Sequence, residues 1–307
     1  MVANFPTETR RKALQRMADE ELDVLVIGGG ITGSGIALDA ASRGFTVAVV
    51  ERDDFAAGAS GRSSRMVHGG LRYLEQREVR LVRESLQERS RLMRLAPHLV
   101  RPIPMYAPIA TASERRRWRT ALTAYDALAV GSTIRRHYTR SVSTVARAIP
   151  GLGNPTPALV YHECATDDAR LTLEVARAAQ AAGALVANHA DVQALRGAGR
   201  VRGAIVVDRQ TGEQLEVAAR VTVNAGGVWA AHVQGLATAT PVELRPSKGV
   251  HLVFRPGAVT TRVGVVIPSG AGDGRHLFVL PWGDRSFAGT TDTPYQGTFD
   301  DLRVTAA

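Results

Sequence analysis

The residues best suited to chemistry stand near the start of the chain. Gly28, Gly30 and Gly33 follow the apolar run Val24-Leu25-Val26-Ile27 in the spacing G-x-G-x-x-G. A continuous apolar run of this kind reads as a strand buried on both faces. The first glycine allows a tight turn off the strand, the second lets the backbone approach a pyrophosphate, and the third lets the next helix pack closely. Ile36, Ala37, Ala40 and Ala41 give that helix a side of small and apolar residues, and Gly44 is a natural left-handed stop. A second apolar strand, Thr46 to Val50, delivers Glu51, which lies 18 positions after Gly33. A carboxylate there can accept both hydroxyls of an adenosine ribose, while the helix N-terminus offers N–H groups to phosphate. Strand, glycines, helix, strand and acid in this order predict a dinucleotide site. The acid disfavours a 2′-phosphate but does not separate FAD from NAD.

Other candidates lie further along. A loop of small polar residues, Ala56 to Ser64, and the string His68-Gly69-Gly70 follow the first site closely. Glycines and hydroxyls so close to a phosphate site suggest continued backbone contact with the cofactor; the alternative is a flexible surface loop. Val221 to Asn224 reads as a buried strand, and Gly226-Gly227 at its end is expected to return the chain to the same ligand. His251, on an alternating strand beside Lys248, is the candidate base, since histidine titrates near neutrality; the alternative is a core histidine satisfied by backbone. Arg72 suits a phosphate clamp because a guanidinium binds phosphate through two parallel hydrogen bonds; the alternative is an ion pair with Glu75. His162, Glu163 and Cys164 are adjacent and cannot all converge on one metal ion, and no metal site is expected.

Composition narrows the class. The 307 residues are 45% hydrophobic and 22% charged, which suits a soluble protein of two domains. Formal net charge is +9, and of the 38 basic residues only Lys12 and Lys248 are lysines. That charge favours anionic ligands, but the arginines are scattered and no nucleic-acid motif accompanies them. Cys164 is the single cysteine, so an internal disulfide is excluded and a reducing, cytoplasmic setting fits. No apolar run approaches the roughly 20 residues of a membrane helix. Arg115-Arg116-Arg117-Trp118-Arg119 reads as a solvated helix face, with contact to an anionic membrane surface as the alternative.

These patterns predict a helix over Glu8 to Glu20 in a polar lead-in of residues 1–21. An amphipathic helix is expected over Glu75 to Leu95, with Val79, Val82, Leu86 and Met93 on one face. Residues 101–157 read as irregular, apart from an apolar helical stretch ending at Val130. A capped helix is expected from Asp168 to Ala182, then a strand over Ala184 to Asn188 and a meander over residues 192–218. Residues 241–290 read as an antiparallel sheet. The fold class is α/β: a Rossmann-like dinucleotide-binding domain of residues 22–100 and 158–235, plus an antiparallel-sheet substrate domain of residues 101–157 and 236–307.

The strings GGGITGSGIALDAASRG and MVHGGLRYLE carry a family resemblance, extended by APHLVRPI, YHECATDDARL, VNAGGVWA, SKGVHLVF and AGTTDTPY. The chain resembles the FAD-dependent, respiratory glycerol-3-phosphate dehydrogenases of the D-amino-acid-oxidase-like flavoprotein group. The resemblance implies FAD along Gly28, Gly30, Gly33 and Glu51. It implies that Ser60, Ser63, Ser64, His68, Gly69 and Gly70 line the ribityl chain and flavin ring, and that Gly226 and Gly227 close on the phosphate side. Arg72, Tyr73 and His251 would face substrate. The implied reaction is oxidation of sn-glycerol 3-phosphate to dihydroxyacetone phosphate, with hydride passing to flavin N5 and electrons to a quinone at the inner face of the cell membrane. Arg65 stands where many relatives have lysine. The family is also longer, so the sequence, ending at Val304-Thr305-Ala306-Ala307 in what reads as the start of a helix, is expected to be C-terminally truncated. Two other readings remain: a flavin oxidase of the same fold acting on an amine, and a catalytically incomplete FAD-binding fragment.

Overall fold

The computed structural model describes residues 7–129, 131, 133–237, 242–269 and 276–304. Val130, Pro241 and the end of the chain at Thr305 to Ala307 lie outside the described residues. The chain divides into two compact units. One takes its described residues from Met1–Ser63, Asp168–Pro246 and Gln296–Thr305, the other from Ser64–Asp167 and Ser247–Tyr295. The expected division differs: residues 64–100 and 158–167 group with the second unit, and the described residues of 236–246 and 296–304 with the first. The cause is packing, since Val82 and Leu86 share one core with Ile103, Met105, Leu159 and Tyr161.

The first unit opens with α1 (Thr7–Asp19), β1 (Leu22–Ile27), α2 (Ile31–Ser42) and β2 (Val47–Val50). After the excursion into the second unit come α7 (Asp168–Ala181), β7 (Leu185–Ala187), β8 (Ala190–Leu195), β9 (Gly203–Asp208), β10 (Gln214–Asn224) and α8 (Ala230–Gly235). The strands form a sheet in the order β7-β2-β1-β10-β9-β8. Pairings from β7 to β10 are parallel, and those of β10 with β9 and β9 with β8 are antiparallel. Side chains alternate across the central strands. Val26, Val47 and Val49 pack on Ala37, Ala40 and Ala41 of α2 and Ala179 of α7. Leu25, Ile27 and Val50 face the other way, onto Leu14 and Met17 of α1.

The polar lead-in is thus a structural cover. Leu14 and Met17 are buried, each stabilising the fold by roughly 1.5–3 kcal/mol. Arg10 ties the helix to Asp208 at 2.6 Å. β10 is a second departure from expectation. It is one continuous strand whose first half pairs with β9 and whose second half pairs with β1. Its end is not buried, since Val221 is 49% exposed.

The second unit contains β3 (Met66–Val67), α3 (Leu71–Glu75), α4 (Val79–Leu95), β4 (Arg101–Pro108), α5 (Ala112–Leu128), β5 (Tyr138–Arg140), α6 (Val142–Ala148) and β6 (Ala158–Ala165). It resumes with β11 (Ser247–Lys248), β12 (Leu252–Phe254), β13 (Gly264–Pro268), β14 (His276–Trp282), β15 (Arg285–Gly289) and β16 (Thr293–Pro294). The main sheet runs β12-β15-β14-β13-β4-β6-β3, with β5 also on β6. It is antiparallel except where β13 meets β4. Residues 101–157 are therefore not irregular. Pro102, Pro104 and Pro108 sit at alternate positions of β4, so the donors they lack lie along one edge. Pairing with β6 still runs from Arg101↔Ala165 to Pro108↔Ala158.

The expected helix over Glu75 to Leu95 begins at Val79 as α4, because the short α3 ends at Glu75 and Arg77 in the turn between them takes φ 63°. Val82, Leu86 and Arg89 are buried on α4, whereas Val79 is 49% exposed. On α5, Arg115, Arg116, Arg117 and Arg119 are exposed. Trp118 turns inward, with ring centroids 6.3 Å from Tyr161 and 5.4 Å from His276. The tryptophan is thus half-buried and packs against the core of this unit. Among the described residues no helix is long and apolar enough to cross a membrane.

Cys164 is buried on β6, and burial pushes its thiol up to about 11. The thiolate is the reactive form, so native chain is expected to resist alkylation at neutral pH and to react once denatured. Fast labelling of the native chain would contradict this placement.

Candidate functional site

The dinucleotide cradle is assembled where β1 ends. Gly28 takes φ 112°, and a Cβ on it would fall 2.5 Å from the carbonyl oxygen of Ala225, just past β10. The Gly28 N–H donates to Val50 O and the Ala225 N–H to Ile27 O, both at 2.8 Å. A Cβ on Gly33 would collide with Gly28 O, so the helix lies against the turn itself. Gly30 precedes α2 with no side-chain cap. The first N–H groups of a helix have no intrahelical partner. Ser60 Oγ accepts that of Ile31 at 2.9 Å, which leaves those of Thr32 and Gly33 to an anion.

Glu51 stands at the end of β2, where its position after the second strand predicts it. One carboxylate oxygen accepts the Gly29 N–H at 2.7 Å and the other the Asp53 N–H at 2.8 Å. These bonds fix the carboxylate beside the glycine turn, and each oxygen keeps a lone pair for a ribose hydroxyl. A cradle a Cβ would fill, open helix N–H groups and a fixed acceptor together fit the phosphate and ribose of a dinucleotide.

The serines divide by position. Ser60 lies at the N-terminus of α2, beside Gly30. Ser63 uses both its N–H, at 3.0 Å, and its hydroxyl, at 2.8 Å, on Asp168, so it anchors the start of α7. Gly226 and Gly227 follow β10, and the Gly226 N–H donates to the Asn224 side chain at 3.1 Å. Gly226 and Gly28 are thereby neighbours through Ala225, as the strand-end glycines suggest.

The second unit gathers a different set. Ser64 Oγ and His251 Nε2 are 2.9 Å apart. His251 lies just before β12 rather than on a strand. Its ring meets Phe287 edge-on with centroids 5.5 Å apart, and a Cβ on Gly289 would fall 2.5 Å from its Cδ2. Arg65, the departure from lysine, lies over the Trp282 ring at 4.3 Å. His68 is exposed, Gly69 and Gly70 are buried, Arg72 is exposed and Tyr73 is half-buried. Arg72 makes no ion pair among the described residues, and the Glu75 side chain is not one of them. A Cβ on Gly69 would collide with the Tyr125 hydroxyl and Leu86, and one on Gly70 would fall 2.5 Å from the Tyr73 ring.

Beneath this turn is a group that sequence reasoning missed. Glu163 accepts the Gly69 N–H at 3.0 Å, Arg89 Nη1 at 2.5 Å and the Tyr125 hydroxyl at 2.6 Å. The signal was available: Arg89 falls on the stripe of Val82, Leu86 and Met93. A charge on an apolar stripe requires a buried partner. Among the described residues no group of three or more His, Cys, Asp or Glu is placed to hold a metal ion.

The fold and the cradle define the class. The chain belongs to the FAD dependent oxidoreductase family, whose model matches residues 23–307. It is an enzyme family with FAD as cofactor. Among curated proteins, the chain is 42% identical over 294 residues to glycerol-3-phosphate dehydrogenase 2 of Mycobacterium tuberculosis, covering 93% of this chain and 49% of that protein. It is 37% identical over 313 residues to alpha-glycerophosphate oxidase of Streptococcus pneumoniae, covering 98% and 51%. The chain thus spans about half the length of these relatives. Among solved structures, the glycerol-3-phosphate dehydrogenase from Bacillus halodurans complexed with FAD superposes with a TM-score of 0.75 at 32% identity, covering 97% of this chain and 52% of that one. Glycine oxidase from Geobacillus kaustophilus, at 23% identity and a TM-score of 0.69 over 93% and 74% of the two chains, shares the fold.

A modest effect is expected at Glu51. In Glu51→Gln the amide keeps one acceptor but loses the charge, and a hydrogen bond to a charged group is worth roughly 1.5–3 kcal/mol. FAD titration should show affinity weakened within that range, and unchanged affinity would place the ribose elsewhere.

Proposed function

We propose that the protein oxidises sn-glycerol 3-phosphate to dihydroxyacetone phosphate, with electrons passing on to a quinone at the inner face of the cell membrane. Bound FAD supplies the hydride acceptor. Gly28, Gly30, Gly33 and the N–H groups of Thr32 and Gly33 take its pyrophosphate, Glu51 its ribose, and Gly226 and Gly227 close the phosphate side. Ser60, Ser64, His68 and Gly70 contact the remainder, while Ser63, bonded to Asp168, and Gly69, bonded to Glu163, hold the backbone behind them. The observation that carries the reading is the 2.9 Å pairing of Ser64 Oγ with His251 Nε2, on a ring fixed by Phe287 and Gly289. Ser64 Oγ takes the proton of the C2 hydroxyl as it passes its own to Nε2, so His251 is the base and Ser64 the relay. Arg72 takes the substrate phosphate through paired hydrogen bonds, and Tyr73 borders the carbon chain. The names of the similar dehydrogenase and oxidase support this substrate.

The test is turnover with glycerol 3-phosphate, measured in parallel with a quinone analogue and with oxygen. Quinone reduction with little peroxide is the expected result. Peroxide as the main product would move the reading to an oxidase, and turnover of an amine instead would replace the substrate.

A further inference from the structure

We propose that Glu163 is a positioning residue. Through the Gly69 N–H it sets the height of the His68-Gly69-Gly70 turn, and so the placing of Arg72 and Tyr73 one helical turn later. The role for those two residues rests on the function proposed above. Arg89 and Glu163 are 1% and 2% exposed, and Tyr125 is 2% exposed. One Glu163 oxygen takes Arg89 Nη1 and the Gly69 N–H, and the other takes the Tyr125 hydroxyl. Arg89 Nη1 also reaches His162 O at 3.0 Å, and its guanidinium carbon lies 5.8 Å from the Tyr125 ring centre. Burial beside the Glu163 charge holds the Tyr125 phenol well above its ordinary range, so it remains a donor. Burial lowers the Arg89 pKa, but Glu163 offsets this and leaves it raised.

Stability alone does not account for such a group. A buried ion pair is often replaced by apolar residues of similar volume with no loss, because both charges must leave water. Apolar residues cannot accept the backbone N–H of Gly69. Tyr125 and Leu86 crowd the same residue, filling the space a Cβ would take. Gly70 follows in the left-handed region at φ 73°, with the Tyr73 ring against it. The turn is therefore held from below at one atom, and the helix carrying Arg72 and Tyr73 starts directly from it.

The test replaces the group without emptying it. In the triple variant Arg89→Met, Glu163→Leu, Tyr125→Phe the volumes are kept and the Gly69 N–H is left without its acceptor. Melting temperature is expected to stay within about 5 °C of wild type. Hydrogen exchange at Gly69, read in flavin-free chain, is expected to rise at least about tenfold while β4 and β6 amides keep their protection. KM for glycerol 3-phosphate is expected to rise by about tenfold, with kcat changed less. Unchanged exchange at Gly69, or faster exchange spread evenly over the unit, would overturn the proposal. Should the triple variant fail to fold, the double variant Arg89→Met, Glu163→Leu decides, since it removes the acceptor and keeps Tyr125: Gly69 exchange should rise at least about threefold, and no change would overturn the proposal. If wild type does not turn over glycerol 3-phosphate, the functional reading fails, while the exchange result still decides the anchoring role.

Discussion

Gly30→Val is expected to leave the chain folded and unable to retain flavin. Gly30 has φ −74° and ψ −179°, a backbone that any residue adopts, so the substitution imposes no strain of its own. A Cβ there would lie 3.0 Å from Ser60 Oγ, and the two valine methyls extend further. They would push aside the hydroxyl that accepts the Ile31 N–H and fill the space the pyrophosphate needs. Gly33 makes the contrasting case. A side chain there meets the Gly28 carbonyl, so loss of flavin could not be told from damage to the fold. The flavin-to-protein ratio after purification, with a melting curve as control, is the measurement. A wild-type ratio in Gly30→Val would mean that no pyrophosphate lies on this turn.

Arg72→Ala is expected to raise KM for glycerol 3-phosphate roughly 10- to 150-fold, with a much smaller effect on glycerol. Arg72 is exposed on α3, so its bonds to a phosphate are worth what charged hydrogen bonds usually are, roughly 1.5–3 kcal/mol, and each 1.4 is a factor of about ten. A deeply buried contact would cost more. Stability should barely change, because the side chain makes no ion pair among the described residues. Equal losses on the two substrates would place Arg72 outside the phosphate site.

The cradle was readable in sequence because its physics is local. Gly28, Gly33, Gly44 and Glu51 are fixed by the geometry of one strand, one turn and one helix, within about thirty residues. The same holds for Ala225-Gly226, a strand end followed at once by glycine. What escaped was set by distant packing. The polar composition of residues 1–21 conceals the stripe of Ala13, Leu14 and Met17, which closes the sheet. The prolines of residues 102–108 suggest irregularity until their alternate spacing is matched to an edge of β4. Gly69 reads as a ligand-side glycine, yet its own environment is Tyr125, Leu86 and Glu163. Those residues come from three separate elements, and only the fold brings them together.

The most direct measurement is anaerobic reduction of bound flavin by the substrate alone. With glycerol 3-phosphate added to oxygen-free, flavin-loaded protein, the visible absorbance of oxidised flavin should bleach, and neither glycine nor glycerol at equal concentration should bleach it at a comparable rate. Bleaching by glycine, or oxidised flavin that stays bound and unchanged in saturating glycerol 3-phosphate, would contradict the proposed function.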